Sequence, residues 1–288
     1  MKKYLALILV GILVLGLVAC NNNAASNEPK ETNKSSENTA ETKVASGTSK
    51  LAMIKESGKL VMGTDANYPP FDFHKMIDGK DQIVGFDILL GEAIAEDLGV
   101  ELEIQDMQFA AVLAAMETGI LDVGIGAISK TEERAKTMDF SDIYFESSHS
   151  ILVKKDDVGK YSNPEKLSAE KARVGVQTAT IQEEAVSDIE GIEIVSITSV
   201  PDLVSQLKSG YIDAMLLENT VADMYAAAND DLAPDHSGEF PGESGIAVAI
   251  PKGNEDLVAE INKTIQKLKA EGKIEEFYQK GIELSITD

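Results

Sequence analysis

Cysteine, histidine and basic residues are all scarce in this chain. A single cysteine among 288 residues leaves no internal disulfide and no multi-thiolate zinc site or iron–sulfur cluster. Three histidines leave little room for an imidazole metal cage, and neither a metal nor a cofactor is expected. Lysine and arginine total 26 against 49 acidic residues, a formal charge of −23. That balance argues against nucleic acid as a partner, because phosphate binding needs a basic face. It argues equally against adsorption to anionic lipid through a basic patch. No 20–50-residue repeat is evident, so a solenoid is not expected. The remaining picture, 43% hydrophobic and 26% charged, is an ordinary globular chain whose length suggests about two domains.

The cysteine itself has an explanation at the N-terminus. Lys2 and Lys3 precede an apolar run from Tyr4 to Ala19, which ends in Leu17-Val18-Ala19-Cys20. A basic start, an apolar stretch and a small residue before the cleavage point make a secretory signal over 1–19. The ending resembles the bacterial lipobox, in which the cysteine is lipid-modified and becomes the mature N-terminus. Residues 20–49 then read as the lipidated Cys20 and a flexible tether. The stretch 21–48 has no aromatic residue, no Leu and no Ile, so it lacks the apolar surface that folding needs. Removing the +2 of the signal and the −1 of the tether leaves −24 on residues 49–288, so the acidity belongs to the folded part.

From residue 50 onward, short apolar strands alternate with amphipathic helices, which predicts an α/β fold with largely parallel sheets. Strands are expected at 59–64, 100–104, 121–125, 172–176, 212–217 and 245–250. Phe86, Leu89, Leu90, Ala93, Ile94 and Leu98 fall at helical spacing ahead of Gly99. Further helices are expected at 109–118 before Gly119, at 201–209 before Gly210, and at 255–270 with Leu257, Ile261, Ile265 and Leu268 on one face.

Several segments then carry a family resemblance. These are Thr64-Asp65-Ala66-Asn67-Tyr68-Pro69-Pro70-Phe71-Asp72-Phe73, Gly85-Phe86-Asp87-Ile88, and Thr131-Glu132-Glu133-Arg134-Ala135-Lys136 with Asp139-Phe140-Ser141. Asp213-Ala214-Met215-Leu216-Leu217-Glu218, Gly245-Ile246-Ala247-Val248 and Pro251-Lys252-Gly253 follow in order. Together they resemble the polar amino-acid solute-binding proteins of ABC importers, across essentially all of the chain after residue 50. The resemblance implies a two-lobed clamshell of the type II periplasmic-binding-protein kind, each lobe a mostly parallel sheet flanked by helices. Residues 50–143 plus 247–288 would form one lobe and 149–240 the other, with 144–148 and 241–246 as a two-segment hinge. Ligand would lie in the cleft, at strand carboxyl ends and helix starts, and would favour closure because only the closed form lets both lobes touch it.

A free amino acid offers a carboxylate and an ammonium, so a receptor needs a cation, an anion and neutral donors or acceptors. Arg134, placed about three residues into a helix that opens near Thr131, suits the carboxylate, since a guanidinium fork makes two parallel hydrogen bonds. Read without the resemblance, it is more simply a surface arginine, solvated or paired with Glu132 or Glu133. The resemblance makes Ser129 a hydroxyl contact, with the main chain around Ala127 also lining the site. It makes Thr180, followed by Ile181, a carboxylate contact from the other lobe, although Ala179 stands where the family usually has glycine. Glu218 takes the place of the family's usual aspartate partner to the ammonium; a carboxylate also simply suits a helix start. Tyr68 and Phe109 resemble the aromatic pair that sandwiches the ligand side chain.

Asp65 resembles the acid that reaches the far end of the side chain in binders of glutamine, histidine, lysine and arginine. It would repel a glutamate or aspartate side chain. Gln177 is neutral where glutamine-binding relatives carry a lysine nearby. Asp65 and Glu218 against Arg134 leave the pocket one unit negative, which a cationic amino acid neutralises. The reading is a lipid-anchored, monomeric receptor on the outer face of the cell membrane. It would bind arginine, lysine or histidine, or glutamine, and deliver it to an ABC permease and ATPase. No Ser/His/Asp set or added catalytic domain is apparent in the sequence, so an enzyme is not expected; a dehydratase-type enzyme on the same fold, an amino-acid sensor and a surface interaction module are the alternatives.

Overall fold

A computed structural model of the chain describes residues 49–241 and 245–287. The expected signal, Cys20, the tether and part of the second hinge segment lie outside the described residues. Two five-stranded sheets organise the rest. The first runs Glu101–Asp106, Lys59–Thr64, Val123–Gly124, Ala249–Pro251, Met138–Phe140. The second runs Glu193–Ile197, Arg173–Gln177, Ala214–Glu218, His149–Lys154, Leu232–Asp235. Each is the centre of one lobe of a two-lobed α/β fold. Both sheets are mixed rather than largely parallel: the first two pairings of each are parallel and the last two antiparallel. The strands that pair antiparallel include those by which the chain leaves or enters a sheet: Met138–Phe140, His149–Lys154, Leu232–Asp235 and Ala249–Pro251.

The chain leaves the first sheet after Met138–Phe140 and returns to it at Ala249–Pro251. Between those points it crosses twice, and the crossing segments pair antiparallel, Gly245 opposite Glu146 and Ile246 opposite Phe145. The single strand expected at 245–250 is therefore two. Ala247 and Val248 intervene, their N–H groups donating to the Ile128 carbonyl at 3.1 Å and to Ser141 Oγ at 2.9 Å.

The helices follow their apolar spacing. Phe86–Leu98, Phe109–Thr118 and Val200–Ser209 end on Gly99, Gly119 and Gly210 in the left-handed conformation, where a Cβ is unfavourable. Ser199 caps the last of these, its hydroxyl oxygen accepting from the Asp202 N–H. Leu257, Ile261, Ile265 and Leu268 of the helix Glu255–Ala270 are buried as one stripe. Burying each such side chain contributes about 1.5–3 kcal/mol by transfer from water. The last helix, Lys273–Ile286, packs on Phe86–Leu98 and on Glu255–Ala270, and also touches Asn219–Ala227 of the second lobe.

One local expectation fails. Arg134 does not sit in the first turns of an α-helix opening near Thr131; it begins a single 3-10 turn, Arg134–Lys136. The chain enters the strand Met138–Phe140 directly afterwards, too soon for a longer helix.

Candidate functional site

The carboxyl ends of strands in both sheets converge on one cavity. Asp65 directly follows the strand Lys59–Thr64, while Gln177 and Glu218 are the last residues of their strands. Asp65, Tyr68, Phe109, Ala127, Ser129, Arg134, Thr180, Ile181 and Glu218 all line this cavity. Its space free of atoms, the open mouth and adjoining solvent included, is about 510 Å³.

Arg134 is 8% exposed. One terminal nitrogen donates to the Ser129 carbonyl and the other to the Ala179 carbonyl across the cavity, both at 2.9 Å. Its guanidinium carbon lies 5.5 Å from the Phe109 ring centroid, a cation–π arrangement. Burial lowers its pKa and the charge of Glu184 partly offsets this. The surroundings are thus two carbonyls and an aromatic face, without the α-helix start that its spacing suggested. Ala179 holds φ +67°, which explains why a glycine suits this position.

Asp65 accepts from three donors: the Phe109 N–H at 2.9 Å, Gln177 Nε2 at 2.9 Å and Asn67 Nδ2. The first places the carboxylate at the start of the helix Phe109–Thr118. Burial nevertheless pushes its pKa up to about 6, with the nearby Asp106 adding to the rise and the three hydrogen bonds opposing it. Glu218 is 3% exposed and caps the helix Asn219–Ala227, one oxygen accepting from the Val221 N–H at 3.0 Å and the other from Thr220 Oγ1 at 3.2 Å. Burial pushes it up to about 7. The helix-capping alternative for Glu218 is therefore real, and it holds alongside a place in the cavity wall.

Thr180 also caps a helix, Ile181–Ser187: its hydroxyl donates to the Gln177 carbonyl at 2.7 Å and accepts from the Glu183 N–H. Tyr68 reaches the second lobe, its hydroxyl accepting from the Glu218 N–H at 3.4 Å. Tyr225 donates to the Asn67 carbonyl at 2.7 Å, a further contact between the lobes.

Sequence reasoning missed part of the lining: Gly126, Ser147, His149, Gln182 and Ile246. Gln177 was noted only for its lack of charge, yet it donates to Asp65 in one direction and to the Thr198 carbonyl in the other. Nothing in local spacing marks these residues, because they arrive with the crossing segments and strand ends. Burial lowers the pKa of His149, which therefore stays neutral at pH 7.

Residues 60–282 match the family of bacterial extracellular solute-binding proteins, family 3. The chain is 33% identical over 288 residues to the arginine-binding extracellular protein ArtP of Bacillus subtilis, covering 97% of this chain and 98% of that one. It is 32% identical to the L-cystine-binding protein TcyJ of Escherichia coli over 82% of this chain and 87% of the other. A crystal structure of an amino acid ABC transporter substrate-binding protein, AbpA from Streptococcus pneumoniae bound to L-arginine, superposes with a TM-score of 0.79 at 38% identity. It spans 82% of this chain and 99% of that one.

Proposed function

This chain belongs to family 3 of the bacterial extracellular solute-binding proteins, and from that premise we propose that it is a receptor for a cationic L-amino acid, arginine first, which it delivers to an ABC importer. One observation carries the reading: a single buried guanidinium and two buried carboxylates face one cavity between the lobes. Arg134 takes the ligand carboxylate, together with the start of the helix at Thr180. Glu218 takes the ammonium. Tyr68 and Phe109 flank the side chain, and Asp65 meets its charged end. Two acids against one cation fit arginine, lysine or histidine better than glutamine. Two of the three relatives named above, ArtP and the pneumococcal protein, are described with arginine, and TcyJ with L-cystine. The reading includes no catalytic step.

Lobe closure would pivot on 144–148 and 241–246, with 50–143 plus 247–288 and 149–240 as the moving bodies. Thermal unfolding against a panel of amino acids tests the assignment. A ligand at 100 times its Kd stabilises by about 2.7 kcal/mol, so L-arginine should raise Tm most and L-glutamate not at all. A panel with no stabilising amino acid contradicts it.

The mature chain would start at a lipidated Cys20 and be held by that anchor to the outer face of the cell membrane. Cys20→Ala should then move the protein from the detergent phase to the aqueous phase on partitioning. Retention in detergent contradicts the anchor.

A further inference from the structure

The segment Gly85-Phe86-Asp87-Ile88 is among the motifs singled out above, yet none of its residues lines the cavity. Its first two residues have packing reasons. Gly85 holds φ +136°, and a Cβ there would lie 2.2 Å from the Phe71 carbonyl oxygen. Phe86 is fully buried, its ring centroid 5.5 Å from those of both Tyr144 and Phe145.

Packing does not explain Asp87. It is fully buried in the first turn of the helix Phe86–Leu98, and a carboxylate in that position requires partners. It has two. Oδ2 accepts from the Ala127 N–H at 2.7 Å, and Oδ1 accepts from the Tyr144 hydroxyl at 2.7 Å. Ala127 lines the cavity with φ +49°, a conformation unfavourable for a residue with a Cβ. Tyr144 begins the first crossing segment, its own N–H donating to the Ile246 carbonyl at 2.9 Å. Ile246 lines the cavity and bridges to Ser129.

We propose that Asp87 is a positioning residue: it ties the cavity wall at Ala127 and the crossing segment at Tyr144 to one point, so that ligand affinity depends on two hydrogen bonds of a side chain that the ligand never touches. The inference rests on the amino-acid-receptor reading for its ligand. The start of a helix favours a negative charge at Asp87, and bonds to an ionised acceptor are about twice as strong as neutral ones. Asp72 lies close by, fully buried. Burial, with the charge of Asp87 adding to it, pushes its carboxyl well up; burial also pushes Asp87 up to about 6, against the bonds from Tyr144 and Ala127 that favour its charge. Without the carboxylate, the peptide at Ala127 is free to relax toward negative φ and turn the main chain of the wall.

L-arginine is the probe. Asp87→Ala should weaken it by about tenfold or more in calorimetry well below Tm. Asp87→Asn should stay within about threefold of the parent, since its oxygen accepts from Ala127 and its amide donates to the Tyr144 oxygen. A purely structural role lowers Tm but leaves the affinity of the folded protein unchanged in Asp87→Ala, and that result overturns the proposal. Should Asp87→Ala not fold, Tyr144→Phe removes one hydroxyl only and should weaken L-arginine by about threefold or more; unchanged affinity overturns the proposal there too. A second readout needs no ligand. The backbone amide resonance of Ala127 should move in Asp87→Asn, where a neutral acceptor replaces an ionised one, and an unmoved resonance also overturns the proposal. If the parent fails to bind L-arginine, the arginine assignment fails, and the Ala127 resonance alone decides the role of Asp87.

Discussion

Arg134→Ala is expected to weaken L-arginine by roughly 30- to several-thousand-fold. The reason is general: removing one partner of a desolvated, hydrogen-bonded charge pair costs about 2–5 kcal/mol, at about 1.4 kcal/mol per decade of Kd. The guanidinium is buried against Phe109 and held by two carbonyls, so it is presented in one orientation. Arg134→Lys should recover only part of the loss, because an ammonium cannot reproduce the two-pronged contact. Its bond to the Ala179 carbonyl crosses the cavity, so closure should suffer along with affinity. Small-angle scattering with saturating L-arginine reports that change as a larger radius of gyration than the parent's. An Arg134→Ala protein within about threefold of the parent in Kd would contradict the assignment of the carboxylate contact.

Acid is expected to weaken L-arginine almost as much. Glu218 and Asp65, held up to about 7 and about 6 by burial, must be ionised to meet a cationic ligand. Each group loses about tenfold in its charged form per pH unit below its pKa, so going from pH 8 to pH 5 should weaken binding by roughly 100- to 1,000-fold. Only one proton competes between about pH 7 and 6, and two compete below 6. Asp65→Asn should remove the second of these. It should also weaken L-arginine far more than L-glutamine, since only the former loses a charge pair. Equal losses for both ligands, or an unchanged pH profile, would mean that Asp65 does not meet the side chain. The ligand-free protein should respond in the opposite sense. An acid whose folded pKa is raised stabilises the fold below its unfolded pKa, and that contribution is lost as pH rises through about 6 for Asp65 and about 7 for Glu218. Tm without ligand should therefore fall over the range in which affinity rises.

Much of this was readable from the residues alone, because apolar spacing and glycine stops are local. The stripe Leu257, Ile261, Ile265 and Leu268, and the helix ends at Gly99, Gly119 and Gly210, needed no tertiary information. What escaped was set by partners distant in sequence. Gln177 meets Asp65 across 112 positions, and Arg134 meets Ala179 across 45. Ile246 enters the cavity wall where the two crossing segments pair, and His149 because its strand pairs with that of Glu218. The 3-10 turn at Arg134 was hidden for a related reason: the strand Met138–Phe140 captures the chain before a helix can lengthen. The mixed sheets likewise reflect where the chain changes lobes, which alternating strands and helices do not encode.

A calorimetric titration of the purified protein with L-arginine at pH 8 tests the central claim, that one cavity between the lobes takes a cationic amino acid. The account predicts binding at one site per chain, lost or greatly weakened in Arg134→Ala and weakened in the parent at pH 5. No binding heat up to about 1 mM ligand, where a simple complex is worth only about 4 kcal/mol, would contradict it.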